Sequence, residues 1–400
     1  MTHDPNRTAL VLSGGGAYGA FAVGALKTLF AGRSPSTGYQ PLVTGILTGT
    51  SVGAFNAAVL AENRRGDLLA RANALENIWT ERIAERPGQC GSTVFRLAGN
   101  PSDYFDPSCL RSPDRVAKNF FGDGFTIGRY VIERTANFLA SDLSLPQRMI
   151  GLANLGSFID NSPFREMLGS VISEQNIFAS DQRVQIVATD WIAGKAVRFE
   201  NADFKDGLGL QAILASSAVP GVFPAVHIGA RVFVDGGVIE NTPLKPALEL
   251  GARELHVIYL DPRPQYVPLL GEPNTLDTLM RVYHIMLATK LNEDIETARW
   301  INSGLEALAG AGGAEQMAES GLRDIVRVAG KFREHGLPYR PVTIHRYFPQ
   351  SAVGTQIGAF EFTADTISKM IREGERVALL HDCAQNGCVL APEDRQVRYA

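Results

Sequence analysis

Cysteine is scarce in this chain. Four residues in 400, Cys90, Cys109, Cys383 and Cys388, are irregularly spaced and offer no disulfide framework. Cys383 and Cys388 lack nearby histidine partners, so they read as free buried thiols rather than zinc ligands, in keeping with a reducing compartment. No other His/Cys/Asp cluster has the ligand spacing of a catalytic metal site, so neither metal nor cofactor is expected. Excess charge of one sign is also missing. Lys and Arg number 38 against 42 Asp and Glu, a net charge of −4, which gives no general electrostatic basis for binding nucleic acid or anionic membrane. Local patches leave room for peripheral membrane contact. An uninterrupted apolar span is missing too. Thr8 to Leu26 carries no charge, close to spanning length, but glycines at 14–16, 19 and 24 break it. Met1–Arg7 holds one acid and one base, unlike the basic start of a secretory signal. A cytoplasmic protein is expected.

What remains is an ordinary globular composition, 45% hydrophobic and 20% charged, long enough for one large α/β domain or two smaller ones. Short apolar runs stopped by glycine or polar turns predict strands at Thr8–Ser13, Val43–Thr48, Arg183–Thr189, Arg231–Val234, Glu254–Leu260 and Pro341–Tyr347. Helices are expected over Ala17–Phe30, from the residue after Ser51 through Ala61, and over Leu208–Val219, Pro243–Leu250 and Thr363–His381. Pro243 is well placed at a helix start. Alternating strands and helices imply a mostly parallel sheet covered by helices. Two stretches break the rhythm. Residues 86–157 mix Gly, Pro and Ser with aromatics such as Tyr104, Phe105, Phe120, Phe121 and Phe125. Residues 263–340 read as largely helical, with a turn at Ala307–Ala314. No internal repeat is found.

Three motifs carry chemistry. Gly14-Gly15-Gly16-Ala17-Tyr18-Gly19 fits G-x-G-x-x-G between a strand and a helix, the pattern of a dinucleotide-binding turn. That use needs an acid about 20 residues on, and no Asp or Glu occurs between Asp4 and Glu62. The exposed N–H groups at a helix start suit any negative charge, including the oxyanion of an acyl-transfer intermediate. Gly49-Thr50-Ser51-Val52-Gly53 has the G-x-S-x-G form of a nucleophile elbow, where a Cβ on either flank would clash in the sharp turn. A serine that merely caps the helix is the plain alternative. Asp235-Gly236-Gly237 ends an apolar strand. Taken alone it is an ordinary turn; taken with Ser51 it offers a carboxylate on a loop that its glycines allow to approach the serine, fixed by Asn241 and Pro243.

Together these residues resemble the patatin-like phospholipase family. Leu12–Gly19 is similar to its glycine-rich oxyanion loop, Gly49–Gly53 to its nucleophile elbow, and Val234–Val238 with Asn241-Thr242-Pro243 to its base-bearing loop. Ala215–Pro220 with Phe223-Pro224 is similar to its helix-to-loop segment, and Val187–Asp190 and Phe158–Pro163 are weaker echoes. The resemblance implies a three-layer α/β/α fold and metal-free hydrolysis of phospholipid or other lipid acyl esters through an acyl-serine. It makes Ser51 the nucleophile, Asp235 the base, and the backbone N–H groups of Gly14, Gly15 and Gly16 the oxyanion hole. Tyr18 stands where the family often has Arg or Lys. An Asp is a weaker base than a His, with ordinary pKa values of about 3.9 and 6.5, so such a dyad must rely on burial, close contact and the helix dipole.

Two rivals stay open. An α/β-hydrolase triad would need a histidine after Asp235, and His256, His284, His335, His345 and His381 all follow it. A catalytically silent lipid-binding protein would keep the fold without the reaction. The catalytic domain is expected over 8–382, with 86–157 inserted as a cover over the site and 383–400 as a tail.

Overall fold

The computed structural model describes residues 4–62, 67–86, 94–97, 120, 123, 159–260, 275–310, 340–350, 358–392 and 394. Ten strands are assigned within them: β1 (Thr8–Leu12), β2 (Ile46–Thr50), β3 (Arg96–Leu97), β4 (Ile159–Asp160), β5 (Arg183–Asp190), β6 (Lys195–Glu200), β7 (Val226–Ile228), β8 (Arg231–Asp235), β9 (Glu254–Ile258) and β10 (Thr343–Tyr347). Eight form one sheet in the order β10-β9-β1-β2-β5-β8-β7, with β6 also paired to β5, while β3 and β4 pair separately. From β10 to β5 every pair is parallel. The β5–β8, β7–β8 and β5–β6 pairs are antiparallel. The sheet is therefore mixed but mostly parallel.

The parallel strands are buried on both faces, so they read as continuous apolar runs and alternate only in which layer they meet. In β1, Leu10 and Leu12 enter one core, together with α1 (Gly19–Phe30), α2 (Val52–Glu62) and α3 (Leu68–Ile78). Ala9 and Val11 enter the other. Along the chain there follow α4 (Ser162–Val171), α5 (Glu174–Phe178), α6 (Asn201–Lys205), α7 (Gly209–Ser216), α8 (Gly237–Glu240), α9 (Leu244–Glu249), α10 (Thr275–Gly310) and α11 (Ala364–Leu379). The first core also takes in α7 and α11; the second packs Leu244 and Ala247 of α9 with Leu291, Ile295 and Ala298 of α10. The result is a three-layer α/β/α fold. Lys27 on α1 ties two other helices to it, pairing with Glu76 of α3 at 2.9 Å and Glu375 of α11 at 2.7 Å.

Several boundaries differ from expectation. A 3-10 turn, Gly16–Tyr18, precedes α1, and β2 runs on to Thr50 because the elbow bends only at Ser51. The polar hairpin strand β6 has no apolar run to announce it. Helix α10 continues to Gly310, through the start of the expected turn; residues 311–314 lie outside the described ones. The segment after residue 382 packs on the sheet edge, where Val389 bridges antiparallel to Ile344 of β10 and is buried.

Candidate active site

Ser51 lies at the bend between β2 and α2 with φ 54°, a left-handed conformation that non-glycine residues rarely adopt. Its flanks show why. A Cβ on Gly49 would stand 2.4 Å from the Gly53 carbonyl oxygen, and one on Gly53 would stand 2.2 Å from that of Leu12. Only glycines let the turn close against β1. The Ser51 N–H donates to Ser216 Oγ at 2.7 Å, and Ser216 Oγ–H donates in turn to the Val187 carbonyl at 2.6 Å. This clamp joins the elbow to the end of α7 and to β5.

Asp235 ends β8, one register position from the level of Thr50: Thr50 pairs with Val187 and Asp235 with Ala188. The loop after it lies against β2, where Thr50 Oγ1 donates to the Glu240 carbonyl at 2.8 Å and Thr48 Oγ1 to that of Pro243 at 2.9 Å. The strand that carries the serine therefore holds the loop that follows the aspartate. The same helix end also fastens Asp235, whose N–H donates to the Ala218 carbonyl at 2.8 Å, while the Gly236 N–H donates to that of Ser216. Asp235 is 1% exposed and Ser51 8%. The Gly237 N–H donates to Asp235 Oδ1 at 2.6 Å, and the buried Oδ2 has no hydrogen bond of full geometry. Burial pushes the Asp235 carboxyl up to about 7, against the downward pull of the Gly237 N–H and of the neighbouring Ser51 hydroxyl. Among the described residues it is the one carboxyl group that lines the cavity with Ser51.

Gly14, Gly15 and Gly16 line the same cavity as Ser51 and Asp235, and a Cβ on Gly14 would lie 3.0 Å from the Ser51 Cβ. The Gly14 N–H donates to the Asn241 carbonyl at 3.2 Å, so the loop after Asp235 packs directly over it. Among the described residues no acceptor is recorded for the amides of Gly15 or Gly16.

The cavity beyond is apolar. Phe55 meets Trp79 and Phe164 edge to face at centroid distances of 6.4 and 6.0 Å. On another wall Phe95 meets Phe223, Phe360 and Phe362 at 5.9–6.4 Å. Trp79 and Ile83 both enter it from a π-helical turn, Trp79–Ile83, in which the Ala84 N–H reaches back to the Trp79 carbonyl at 2.9 Å. Val94 lines the cavity, so the 86–157 segment contributes to its wall there. The aromatic stretch Asn119–Ala140 lies outside the described residues except Phe120 and Asp123. Sequence reasoning missed Ser216, Phe55, Trp79, Phe164 and Phe360 as site residues. Only Ser216 carried a signal, its place in the Ala215–Pro220 segment.

Three histidines lie elsewhere. His256 of β9 and His345 of β10 pair side by side, two and three strands from β2, and His381 follows α11. His256 is fully buried, held low by burial at about 4 and hydrogen-bonded to the Tyr347 hydroxyl at 2.9 Å. The side chain of His284 and the whole of His335 lie outside the described residues. The expectation that Cys383 and Cys388 lack histidine partners is overturned. His381 Nε2 is 3.5 Å from Cys383 Sγ and 3.4 Å from Cys388 Sγ, and His345 Nδ1 is 3.5 Å from Cys383 Sγ. His345 comes from the sheet edge, 38 residues earlier in the chain than Cys383, so local spacing does not reveal it.

The sequence profile of the patatin-like phospholipase family matches residues 10–248, more than half of the chain. The chain belongs to that family. Patatin-like proteins are lipid acyl hydrolases, so lipid esters are the substrate class of this patatin-like chain. No curated protein matches it in sequence. Among solved structures, VipD from Legionella pneumophila aligns over 98% of this chain and 72% of its own at 13% identity and a TM-score of 0.36, too distant a likeness to bear on function. Among the described residues no helix is long and apolar enough to cross a membrane.

Proposed function

We propose that this patatin-like chain hydrolyses the acyl esters of phospholipids or lysophospholipids through a Ser51–Asp235 dyad. The observation that carries the reading is a buried, proton-hungry carboxylate beside a strained serine at the end of an apolar, aromatic-walled cavity. Asp235 takes the hydroxyl proton as Ser51 Oγ adds to the ester carbonyl. The oxyanion is held by the Gly15 and Gly16 N–H groups, with the positive end of α2 behind it. Collapse of the intermediate expels the alcohol, which leaves with the proton from Asp235, and an acyl-serine remains. Asp235 then takes a proton from water, whose attack frees the fatty acid and restores the serine. The aromatic walls suit an acyl chain, whose burial is worth about 0.8 kcal/mol per methylene. Peripheral contact with a membrane surface is part of the proposal, since the substrate resides there.

A fluorophosphonate probe with turnover of short-chain aryl esters tests this. The native chain is expected to be labelled and active, and folded Ser51→Ala to be neither. Labelling at another serine with activity intact would remove Ser51 from the mechanism. A folded native chain that neither labels nor turns over would favour the silent lipid-binding alternative.

A further inference from the structure

We infer that His345, His381, Cys383 and Cys388 form a tetrahedral metal site that takes zinc and fastens the C-terminal segment to the edge of the sheet. The four donor atoms, His345 Nδ1, His381 Nε2 and the two Sγ atoms, lie within 4.8 Å of one another, and the cysteines are not joined as a disulfide. Zinc binds sulfur at about 2.3 Å and imidazole nitrogen at about 2.0–2.1 Å, so a tetrahedral S–Zn–N angle puts the two donors roughly 3.6 Å apart. Three of the four N···S separations are 3.4, 3.5 and 3.5 Å. Three of the six edges of the donor tetrahedron therefore match those of a zinc site, and all six stay within 4.8 Å. Two thiolates and two neutral imidazoles leave a Zn²⁺ centre with no net charge, the form that suits a buried site. Two sulfurs with two nitrogens in this geometry select zinc over oxygen-seeking cations.

The surroundings complete the design. A metal on His345 Nδ1 leaves the proton on Nε2, which faces Glu254 Oε1 at 3.7 Å, the carboxylate–histidine–metal arrangement that fixes ring orientation. The other ring nitrogen of His381, Nδ1, lies 2.9 Å from the Asn386 side-chain amide. With metal on Nε2 that nitrogen carries a proton, so the Asn386 amide turns its oxygen to it, giving up its Nδ2 bond to the Arg346 carbonyl. The loop between the cysteines is pre-shaped. Asp382 Oδ1 accepts from the Ala384 N–H at 2.8 Å, and the Cys388 N–H donates to the Cys383 carbonyl at 2.9 Å. Directly after it, Val389 pairs with Ile344, covering a strand edge that would otherwise be open to pairing with another chain. The site is three strands from β2, about 14 Å at ~4.8 Å per strand. Its role is structural.

The test uses the full chain purified under reducing conditions without chelator. Elemental analysis is expected to find about one zinc per chain, lost in the Cys383→Ser/Cys388→Ser variant. Cobalt(II) exchanged into the native chain should give tetrahedral and thiolate charge-transfer absorption. If the double variant fails to fold, alkylation of the native chain decides: zinc should shield Cys383 and Cys388, and chelation should expose both and lower the melting temperature. A native chain free of metal that shows no thiolate absorption with cobalt would overturn the inference, as would metal retained in the folded double variant, or a Cys383–Cys388 disulfide in the reduced preparation.

Discussion

At the scale of single residues, Asp235 links chemistry to stability. Its folded pKa of about 7 lies above the ~3.9 of an unfolded aspartate. The folded chain therefore holds a proton that the unfolded chain has already released. The stability this confers is complete below about pH 4 and is lost as pH rises through about 7, a difference of roughly 4 kcal/mol at most. Two outcomes follow. In the proposed dyad only the ionised carboxylate can take the serine proton, so the kcat/KM for a soluble ester should rise with pH and bend near 7. A profile already flat from pH 5 upward would show that Asp235 ionises at its ordinary pKa. Asp235→Asn, which keeps the bond from the Gly237 N–H, should lose activity yet melt higher than the native chain at pH 8 and not at pH 4. Thermal melts at the two pH values check this. An equal effect at both would separate the stability gain from the titration.

At the scale of elements, the parallel strands were legible because burial on both faces leaves apolar runs, unbroken in Leu10–Leu12 and interrupted only by the buried His256 in Leu255–Ile258. The ends of β2 were not. Gly49 reads as a stop, yet it extends the strand because its missing side chain lets Gly53 close over it. Hidden too was the clamp at the end of α7, since a serine in Ala215–Pro220 looks like any helix terminus until β5 and the elbow are brought against it. Ser216→Ala should free the Ser51 N–H and the Val187 carbonyl inside the fold, at a cost of ~1–3 kcal/mol each. The displaced elbow should lower kcat while leaving KM for a soluble ester near the native value. A stability loss with kcat unchanged would make Ser216 a structural residue only.

At the scale of the whole molecule, the site joins parts of the chain far apart in sequence, whereas in the cysteine cluster only His345 is remote: His381, Cys383 and Cys388 stand within eight residues, a local signal that the sequence reading passed over. The cavity wall takes Phe55 from α2, Phe164 from α4, Phe223 from the loop before β7 and Phe360 from the approach to α11. Ser51 and Asp235 were readable because each sits in its own local motif at a strand end. Nothing local ties His345 to Cys383. The histidines thus decide between a dyad and a triad at this scale. Single replacement of His256, His284, His335, His345 or His381 by Gln should leave ester turnover measurable. Asp235→Asn should lose the ~10²–10⁴-fold that general-base catalysis supplies. His345→Gln and His381→Gln should also melt lower than the native chain, since each removes a donor from the proposed zinc site, but their activity below the melt should persist. This contrast separates structural loss from catalytic loss. If one folded histidine variant falls as far in turnover as Asp235→Asn, Asp235 merely orients that imidazole, and the mechanism becomes a triad.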